Sequence, residues 1–380
     1  MDLSEHVLSY IHNTSEEFLS LLKTLAVIPA PSHHENQRAA FCKQWLEENG
    51  AEGVYIDEAK NVILPMGCQD CREITVFMAH TDVVFPDTTP LPLVCGEDRF
   101  CAPGIGDDTV AVVMMLMTVK YILQNKLVPK NGILFVANSC EEGLGNLKGS
   151  RQIMKDFEGR IAGLYTFDGR YQFVVDKCVG SYRYEIECET EGGHSFGAFG
   201  NANAIVELSR LISDLYAIEI PKNGNSKTTY NVGRIEGGTS VNTIAQYAKM
   251  LYEYRSDDVK CIQQMTSLFE DAITRARERS NATFRVTTVG IRPCGSEDLD
   301  RDLHEKMLSL VSDITKKHTG IAPQRKSGST DCNSAMSAGV PAVCVGCYDG
   351  GGAHTREEYL ELESVPVGRR IVAELILSCF

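Results

Sequence analysis

The amino-acid sequence predicts an α/β fold: a doubly wound domain with a smaller ferredoxin-like α+β domain inserted into it. Strand-like and helix-like apolar segments alternate through residues 61–167, and polar side chains come directly after several of the strands. From about Gly180 the order of the elements changes. The length of 380 residues exceeds the size at which a single hydrophobic core usually stops growing, so we expect two domains.

The elements of the first domain follow from apolar runs and turn residues. Ser32, with Glu35 three positions later, has the pattern of a capping box, which predicts a helix from there to Glu48. Runs rich in β-branched and aromatic residues predict strands over 61–65, 74–79, 132–138 and 163–167. The longer apolar stretch over 109–123 predicts a buried helix.

The second half of the chain contains the predicted insertion. Alternating patterns predict strands over 182–190, 228–236, 245–255 and 283–289, and longer periodic segments predict helices over 201–216 and 259–279. This β-α-β-β-α-β order is that of a ferredoxin-like unit. A helix over 303–318 and a strand over 341–346 return to the first domain, so we expect domain parts 1–179, 180–291 and 292–380, the middle part being the insertion.

Five potential metal ligands and one further acid are the chemically most informative residues. The ligands are His80, Asp107, Glu142, Asp168 and His354, and Glu141 directly precedes Glu142. Sites in doubly wound folds form outside the carboxyl ends of the strands, so these side chains are expected to share one site. Two imidazoles and three carboxylates suit two divalent ions about 3.5–4 Å apart, with zinc as the expected metal. Asp82 is expected to orient the His80 imidazole, because it lies two residues further along an extended chain.

Composition and charge restrict the class of protein. The balance of 37 Lys+Arg against 51 Asp+Glu gives a net charge of -14, which argues against binding to nucleic acid or to an anionic membrane. No basic-apolar leader is recognisable, and the longest apolar run, 110–119, is about half of a membrane span. The 14 cysteines are expected to be reduced thiols, so we predict a cytoplasmic protein.

An ordered set of short motifs resembles the family of co-catalytic zinc exopeptidases and deacylases. That family includes peptidase T, aminoacylase, acetylornithine deacetylase and succinyl-diaminopimelate desuccinylase, and the peptidase T-like branch is the most similar. The resemblance covers nearly the whole chain, and it lies in His80-Thr81-Asp82, Gly104 to Asp108, Glu141-Glu142-Gly143, Asp168-Gly169, Gly192 to Ser195, Gly233 to Gly238 with Asn242, Glu253 to Ser256, Gly328 to Asp331 and Gly352 to Thr355.

The resemblance implies a role for each of these metal-site residues. His80 and Asp168 would bind one metal, Glu142 and His354 the other, and Asp107 would bridge the two. Glu141 would be the general base, taking a proton from a water shared by the metals and delivering it to the leaving nitrogen. Zinc is expected, with manganese or cobalt as alternatives.

The resemblance also implies roles for residues of the insertion. His194 would donate to the oxyanion, as the corresponding family residue commonly does across a dimer interface. We therefore expect a homodimer formed through the inserted domain. That domain would serve as a lid and dimerisation domain. Asn242 and Arg255 occupy positions where the family contacts a substrate carboxylate, although Arg255 suits a surface salt bridge equally well. The backbone around Ser329 is a further candidate for holding a carboxylate.

These observations predict a two-zinc metallopeptidase that hydrolyses short peptides, of the aminopeptidase, dipeptidase or tripeptidase type. An N-acyl-amino-acid deacylase of the same family is the alternative. A catalytically silent homologue that binds peptides is a third hypothesis, against which the complete ligand set and Glu141 both count.

Overall fold

The computed structural model describes residues 3–69 and 71–380. Contacts divide the chain into two compact units: unit 1 contains the residues up to Lys177 together with Asp298–Phe380, and unit 2 is Cys178–Glu297. The predicted insertion, 180–291, lies inside unit 2, which begins two residues earlier and ends six residues later.

The helices and strands are numbered along the chain. The α-helices are α1 (Glu5–Asn13), α2 (Ser15–Val27), α3 (Asn36–Glu48), α4 (Val110–Gln124), α5 (Lys148–Asp156), α6 (Ala204–Tyr216), α7 (Val259–Arg279), α8 (Arg301–Thr319), α9 (Cys332–Ser337) and α10 (Val365–Leu377). The strands are β1 (Tyr55–Ile56), β2 (Val62–Met66), β3 (Ile74–His80), β4 (Val94–Cys95), β5 (Arg99–Cys101), β6 (Gly132–Asn138), β7 (Ile161–Phe167), β8 (Phe173–Cys178), β9 (Gly180–Glu189), β10 (Gly193–His194), β11 (Thr228–Gly237), β12 (Thr243–Ile244), β13 (Tyr247–Ser256), β14 (Thr283–Arg292), β15 (Gln324–Gly328), β16 (Ala342–Val345), β17 (Gly350–Gly351) and β18 (Tyr359–Glu361).

An eight-stranded sheet, in the order β1-β2-β6-β3-β7-β16-β8-β15, forms the centre of unit 1. Its four middle strands, β6, β3, β7 and β16, are mutually parallel, whereas β2 and β8 pair antiparallel to their neighbours. The carboxyl ends of the four parallel strands therefore meet at one edge of the sheet, which is where the polar residues of the sequence were expected to gather.

Apolar side chains on both faces of this sheet explain why its middle strands read as continuous hydrophobic runs. On one face, Phe77 stacks on Phe135, Tyr165 and Phe167, and this layer belongs to a buried cluster that includes side chains of α2, α4, α8 and α10. On β7 and β16, α9 provides a further packing contact. The mixed α/β fold predicted from the sequence is thus confirmed.

Unit 2 has a four-stranded antiparallel sheet in the order β11-β13-β9-β14. Helices α6 and α7 pack on it over a separate buried cluster that contains Tyr184, Tyr252, Tyr254 and Phe269. The chain order of these elements is β-α-β-β-α-β, apart from the short pair β10 and β12. This is the ferredoxin-like order.

The predicted start of α3 was wrong in one respect. The helix begins at Asn36, and the flanking Glu35 makes no side-chain cap. The Ser32 hydroxyl instead donates to Asp82, fifty residues further along the chain. A capping-box pattern is a local signal, and here a long-range hydrogen bond uses the hydroxyl. Within the described residues, no helix combines the length and the apolar character that a membrane span requires.

Candidate metal centre

Five potential metal ligands come from different elements of unit 1. The parallel sheet places three of them: His80 ends β3, Glu142 follows β6, and Asp168 follows β7. Asp107 lies in the turn before α4, and His354 lies between β17 and β18. The fold therefore brings together His80 and His354, which are 274 positions apart in the sequence.

The Asp107 carboxylate lies between the two imidazoles. Its Oδ1 is 3.0 Å from His80 Nε2, and its Oδ2 is 3.1 Å from His354 Nε2. The same His354 nitrogen is 3.2 Å from Glu142 Oε1. Three groups of potential ligand atoms result: His80 with Glu141 and Glu142, His80 with Asp107 and Asp168, and Asp107 with Glu142 and His354. Asp107 belongs to the second and third of these groups.

Asp82 organises the region behind these ligands. Its carboxylate accepts the backbone N–H of Glu141 through Oδ1 and that of Glu142 through Oδ2, each at 2.9 Å. His80 Nδ1 is closer to the Asp82 carbonyl oxygen, at 3.1 Å, than to the Asp82 carboxylate, at 3.5 Å. Asp82 therefore both faces the imidazole, as expected, and holds the backbone of the two glutamates.

The acidic groups of the cluster are buried together, and their pKa values reflect it. Burial, together with the charge of Asp107, raises the pKa of Asp168 to about 7. Burial also raises the pKa of Glu142. Hydrogen bonds to Asp107 and Glu142 raise the pKa of His354 to about 11. Burial lowers the pKa of His80, but the Asp107 and Asp82 carboxylates outweigh burial and hold it well above its ordinary value. The cluster thus favours positive charge at its centre.

The hydrogen bonds of His80 give a direct test of whether a metal fits. Its Nδ1 faces two acceptor oxygens of Asp82, so the neighbours assign the hydrogen to Nδ1. Because the pKa of His80 is raised, Nε2 also carries a hydrogen, which it donates to the Asp107 carboxylate at 3.0 Å. A divalent cation can take the place of this proton, so that His80 Nε2 and the Asp107 carboxylate both become ligand atoms. The donor set of imidazoles and carboxylates is one that zinc accepts, so the residues fit a divalent metal.

Glu358 is a residue of this centre that sequence reasoning missed. Its side chain is 1% exposed, and its carboxylate accepts the backbone N–H groups of Gly104, Gly106 and Asp107 at 2.9, 2.8 and 2.8 Å. Asp108, next to Asp107, accepts the His80 backbone N–H at 3.0 Å. No local pattern distinguishes Glu358 from its exposed neighbour Glu357, so only the fold could identify it.

The segment 32–35 contacts residues 140–142, the part of the chain that carries Glu141 and Glu142. Ser32 Oγ donates to Asp82 Oδ2 at 2.7 Å and lies 3.2 Å from the Glu142 carbonyl oxygen. The buried Glu35 carboxylate accepts the backbone N–H of Cys140 at 3.1 Å. Residues that the sequence suggested as a helix start therefore support the chain that carries Glu141 and Glu142. Glu141 itself is buried, within ligand distance of His80 and Glu142.

The structure brings His194 and Asn242 together in unit 2. His194 pairs with Thr243 in the short β10–β12 ladder, and the Ser195 N–H donates to the Asn242 carbonyl oxygen at 2.9 Å. His194 is exposed, and its Nδ1 accepts the backbone N–H groups of Phe196 and Gly197, each at 3.3 Å. Since Nδ1 accepts, the neutral ring carries its hydrogen on Nε2.

Arg255 does not join this pair. Its Nε and Nη2 donate to the two carboxylate oxygens of Glu253 at 2.9 and 3.0 Å, which is the salt-bridge alternative. Tyr247 begins β13 near Asn242, and Arg255 lies eight residues further along the strand, about 27 Å away at about 3.4 Å per residue. Arg255 and Asn242 thus lie at opposite ends of the unit 2 sheet.

Ser329 lies in unit 1, half-buried between β15 and α9. Two residues further on, the Asp331 carboxylate accepts from the Asn138 amide at 2.6 Å, and Asn138 is the last residue of β6. Asp331 is also one of the acids whose charge raises the pKa of Asp168. The loop that carries Ser329 is therefore next to the metal-ligand cluster.

The sequence and the fold are similar to those of known proteins. Residues 76–378 match the family model of peptidase family M20/M25/M40. Acetylornithine deacetylase of Myxococcus xanthus is 23% identical over 345 residues, which cover 88% of this chain and 86% of the relative. A tripeptidase structure from Staphylococcus aureus superposes with a TM-score of 0.76 at 19% identity, covering 95% of this chain and 97% of that one. A dinuclear metal binding peptidase from Bacillus subtilis superposes with a TM-score of 0.65 at 15% identity, covering 97% and 100%.

Proposed function

The chain belongs to peptidase family M20/M25/M40 and is a hydrolase of that family, and from this premise we propose that it is a two-zinc exopeptidase acting on short, unblocked peptides. The observation that carries the proposal is the Asp107 carboxylate, which offers one oxygen to each of two imidazoles. The buried Glu141 beside these ligands supplies a group that can transfer a proton.

The proposed roles follow from the two ligand groups that contain Asp107. His80 and Asp168 would hold one ion, Glu142 and His354 the other, and Asp107 both. Two such ions would act as Lewis acids that polarise the scissile carbonyl group and make the attacking water more acidic. Glu141 would accept the proton of that water as its oxygen bonds to the carbonyl carbon. The same proton would pass to the nitrogen as the C–N bond breaks.

Two residues of unit 2 are proposed to contact the substrate. The Nε2–H of His194 can donate to an oxyanion, because the backbone amides of Phe196 and Gly197 occupy Nδ1. Asn242, adjacent to it, is exposed, and its side chain accepts the Ser240 hydroxyl. We propose Asn242 rather than Arg255 for a substrate carboxylate, since Glu253 holds the Arg255 guanidinium.

A peptide is favoured over an acylated amino acid by the ligand Asp168. The family resemblance implies aspartate at this position in peptidase T-like members and glutamate in many deacylases. The shorter side chain would draw its metal towards the end of β7 and leave room for a free α-amino group. The tripeptidase likeness supports this choice, and the acetylornithine deacetylase relative keeps N-acyl-amino-acid deacylation as the second candidate.

The test is a hydrolysis panel with matched metal analysis. Dipeptides and tripeptides would be assayed beside acetylated and succinylated amino acids with zinc, manganese or cobalt, and a variant with His80→Ala would serve as the control without a complete site. We expect about two metal ions per chain and a higher kcat/KM for the unblocked peptides. A clear preference for acylated amino acids would establish the deacylase instead. Two bound ions without hydrolysis of any substrate would support the silent homologue.

A further inference from the structure

Among the described residues, the groups of potential metal ligands do not include Glu358, yet its hydrogen bonds reach the segments of both Asp107 and His354. We propose that Glu358 is a positioning residue that sets the place of the Asp107 carboxylate between the two imidazoles, an inference that rests on the proposed two-metal function. The three N–H groups that it accepts belong to the turn that ends at Asp107. The Asp107 backbone N–H is one of them, so the bond acts directly on the ligand residue.

The turn needs such an acceptor because it is closely packed. A side chain added at Gly106 would have its Cβ 2.6 Å from the Tyr348 ring, and one at Gly104 would lie 2.3 Å from Val83. Both glycines are buried. Leaving a buried N–H group without an acceptor is unfavourable, and three N–H groups of this turn converge on the Glu358 carboxylate. Glu358 therefore supplies the acceptor for the N–H groups of this turn.

The backbone of Glu358 couples the turn to the segment of His354. Its carbonyl oxygen accepts the Ala102 N–H at 3.1 Å, and the following strand, β18, pairs with β5 through Tyr359 and Cys101. Its own N–H donates to Thr355, the residue after His354. Glu358 thus contacts both the turn that carries Asp107 and the segment that carries His354. The Oδ2 and Nε2 atoms of these two residues are 3.1 Å apart.

A carboxylate meets this geometry better than an amide. Oε1 accepts two N–H groups and Oε2 accepts the third. In Glu358→Gln, one of the two positions becomes an NH2 group that faces an N–H donor. The side chain keeps nearly the same volume, so we expect the variant to fold and the turn to move at Asp107.

The experiment measures metal affinity in metal-free protein, which does not depend on turnover. Glu358→Gln would be titrated with Zn²⁺ by calorimetry or against a chromophoric chelator, with Glu357→Gln as the matched control. Glu357 is the exposed neighbour and undergoes the same change in charge. We expect zinc affinity to fall about 10- to 100-fold in Glu358→Gln, as for other residues that orient metal ligands, and to be unchanged in the control.

Every other outcome of the zinc titration also decides whether the proposal for Glu358 holds. Wild-type affinity in a folded Glu358→Gln protein would overturn the proposal, and so would equal losses in both variants, since charge alone would then explain them. If Glu358→Gln fails to fold, Glu358→Asp keeps both oxygens but is one methylene shorter. Weakened zinc binding in that variant would support the proposal, and full affinity would overturn it. A wild type that binds zinc but cleaves no amide refutes only the proposed function.

Discussion

Glu141 and Glu142 are adjacent in the chain, and the structure gives them different surroundings. Asp82 holds both backbone N–H groups, which fixes the chain between them. The Glu142 carboxylate contacts His354 and shares a ligand group with Asp107. Glu141 lies in a group with His80 and Glu142 but in neither of the two groups that contain Asp107. Their side chains should therefore contribute to different steps.

Replacing each glutamate separately tests this difference. Glu141→Ala should keep both metal ions and lower kcat by about 100- to 10,000-fold, because only proton transfer is removed. Glu142→Ala should lose metal from one position, because a ligand is removed. Elemental analysis and steady-state kinetics on the same preparations distinguish the two effects. Near wild-type turnover of Glu141→Ala would contradict its role as the general base.

Among the elements, α3 is connected to the metal centre through one buried side chain. Arg38 is fully buried, and its Nε donates to the Ile28 carbonyl oxygen at 2.8 Å. Its Nη1 donates to the carbonyl oxygen of Thr81 at 3.0 Å and to the Thr109 hydroxyl at 3.1 Å. Thr81 follows His80, and Thr109 precedes α4. The guanidinium therefore joins three segments around the ligands.

Arg38→Lys should destabilise the protein although the charge is kept. A single ammonium group cannot reach the acceptors that the guanidinium fork reaches from two nitrogens, so at least one buried oxygen loses its donor. We expect the free energy of unfolding to fall by about 2–4 kcal/mol, measured by urea unfolding of the metal-free protein. Arg301→Lys, at an exposed residue, is the control and should change little. Equal stability of the two variants would show that the Arg38 bonds contribute nothing.

At the scale of the whole molecule, unit 2 presents apolar side chains near His194. Phe196 and Phe199 are each 90% exposed, and Val241, next to Asn242, is 100% exposed. Large apolar side chains in one exposed region are typical of interaction surfaces. This exposure supports the proposal that unit 2 joins two copies of the chain into a homodimer.

The corresponding prediction combines assembly with turnover. The protein should sediment as a dimer, and His194→Ala should lower kcat by about 100- to 1,000-fold while metal content stays unchanged, because an oxyanion donor is lost. His34→Ala, at an exposed histidine of unit 1, should leave kcat unchanged. A fully active monomer at the assay concentration would reject the dimer requirement, and a His194→Ala variant with normal kcat would reject the donor role.

The sequence alone determined the types of the longer elements predicted from it and the set of candidate ligands. The predicted strand over 132–138 and helix over 259–279 coincide with β6 and α7, because β6 is a continuous buried apolar run and α7 buries one face with the helical period. The same patterns located polar residues at the ends of strands, and the doubly wound topology then required them to meet.

Only the tertiary structure decided which side chains form hydrogen bonds with partners far away in the sequence. Ser32 supports Asp82 rather than capping α3, and Glu358 rather than Glu357 holds the Asp107 turn. These pairings depend on where separate segments of the chain approach each other. The apolar periodicity of the sequence cannot predict them, because it indicates only whether a residue is buried. A buried hydrogen-bond partner carries no signal in its own neighbourhood of the sequence, because its acceptor or donor is supplied by another part of the chain.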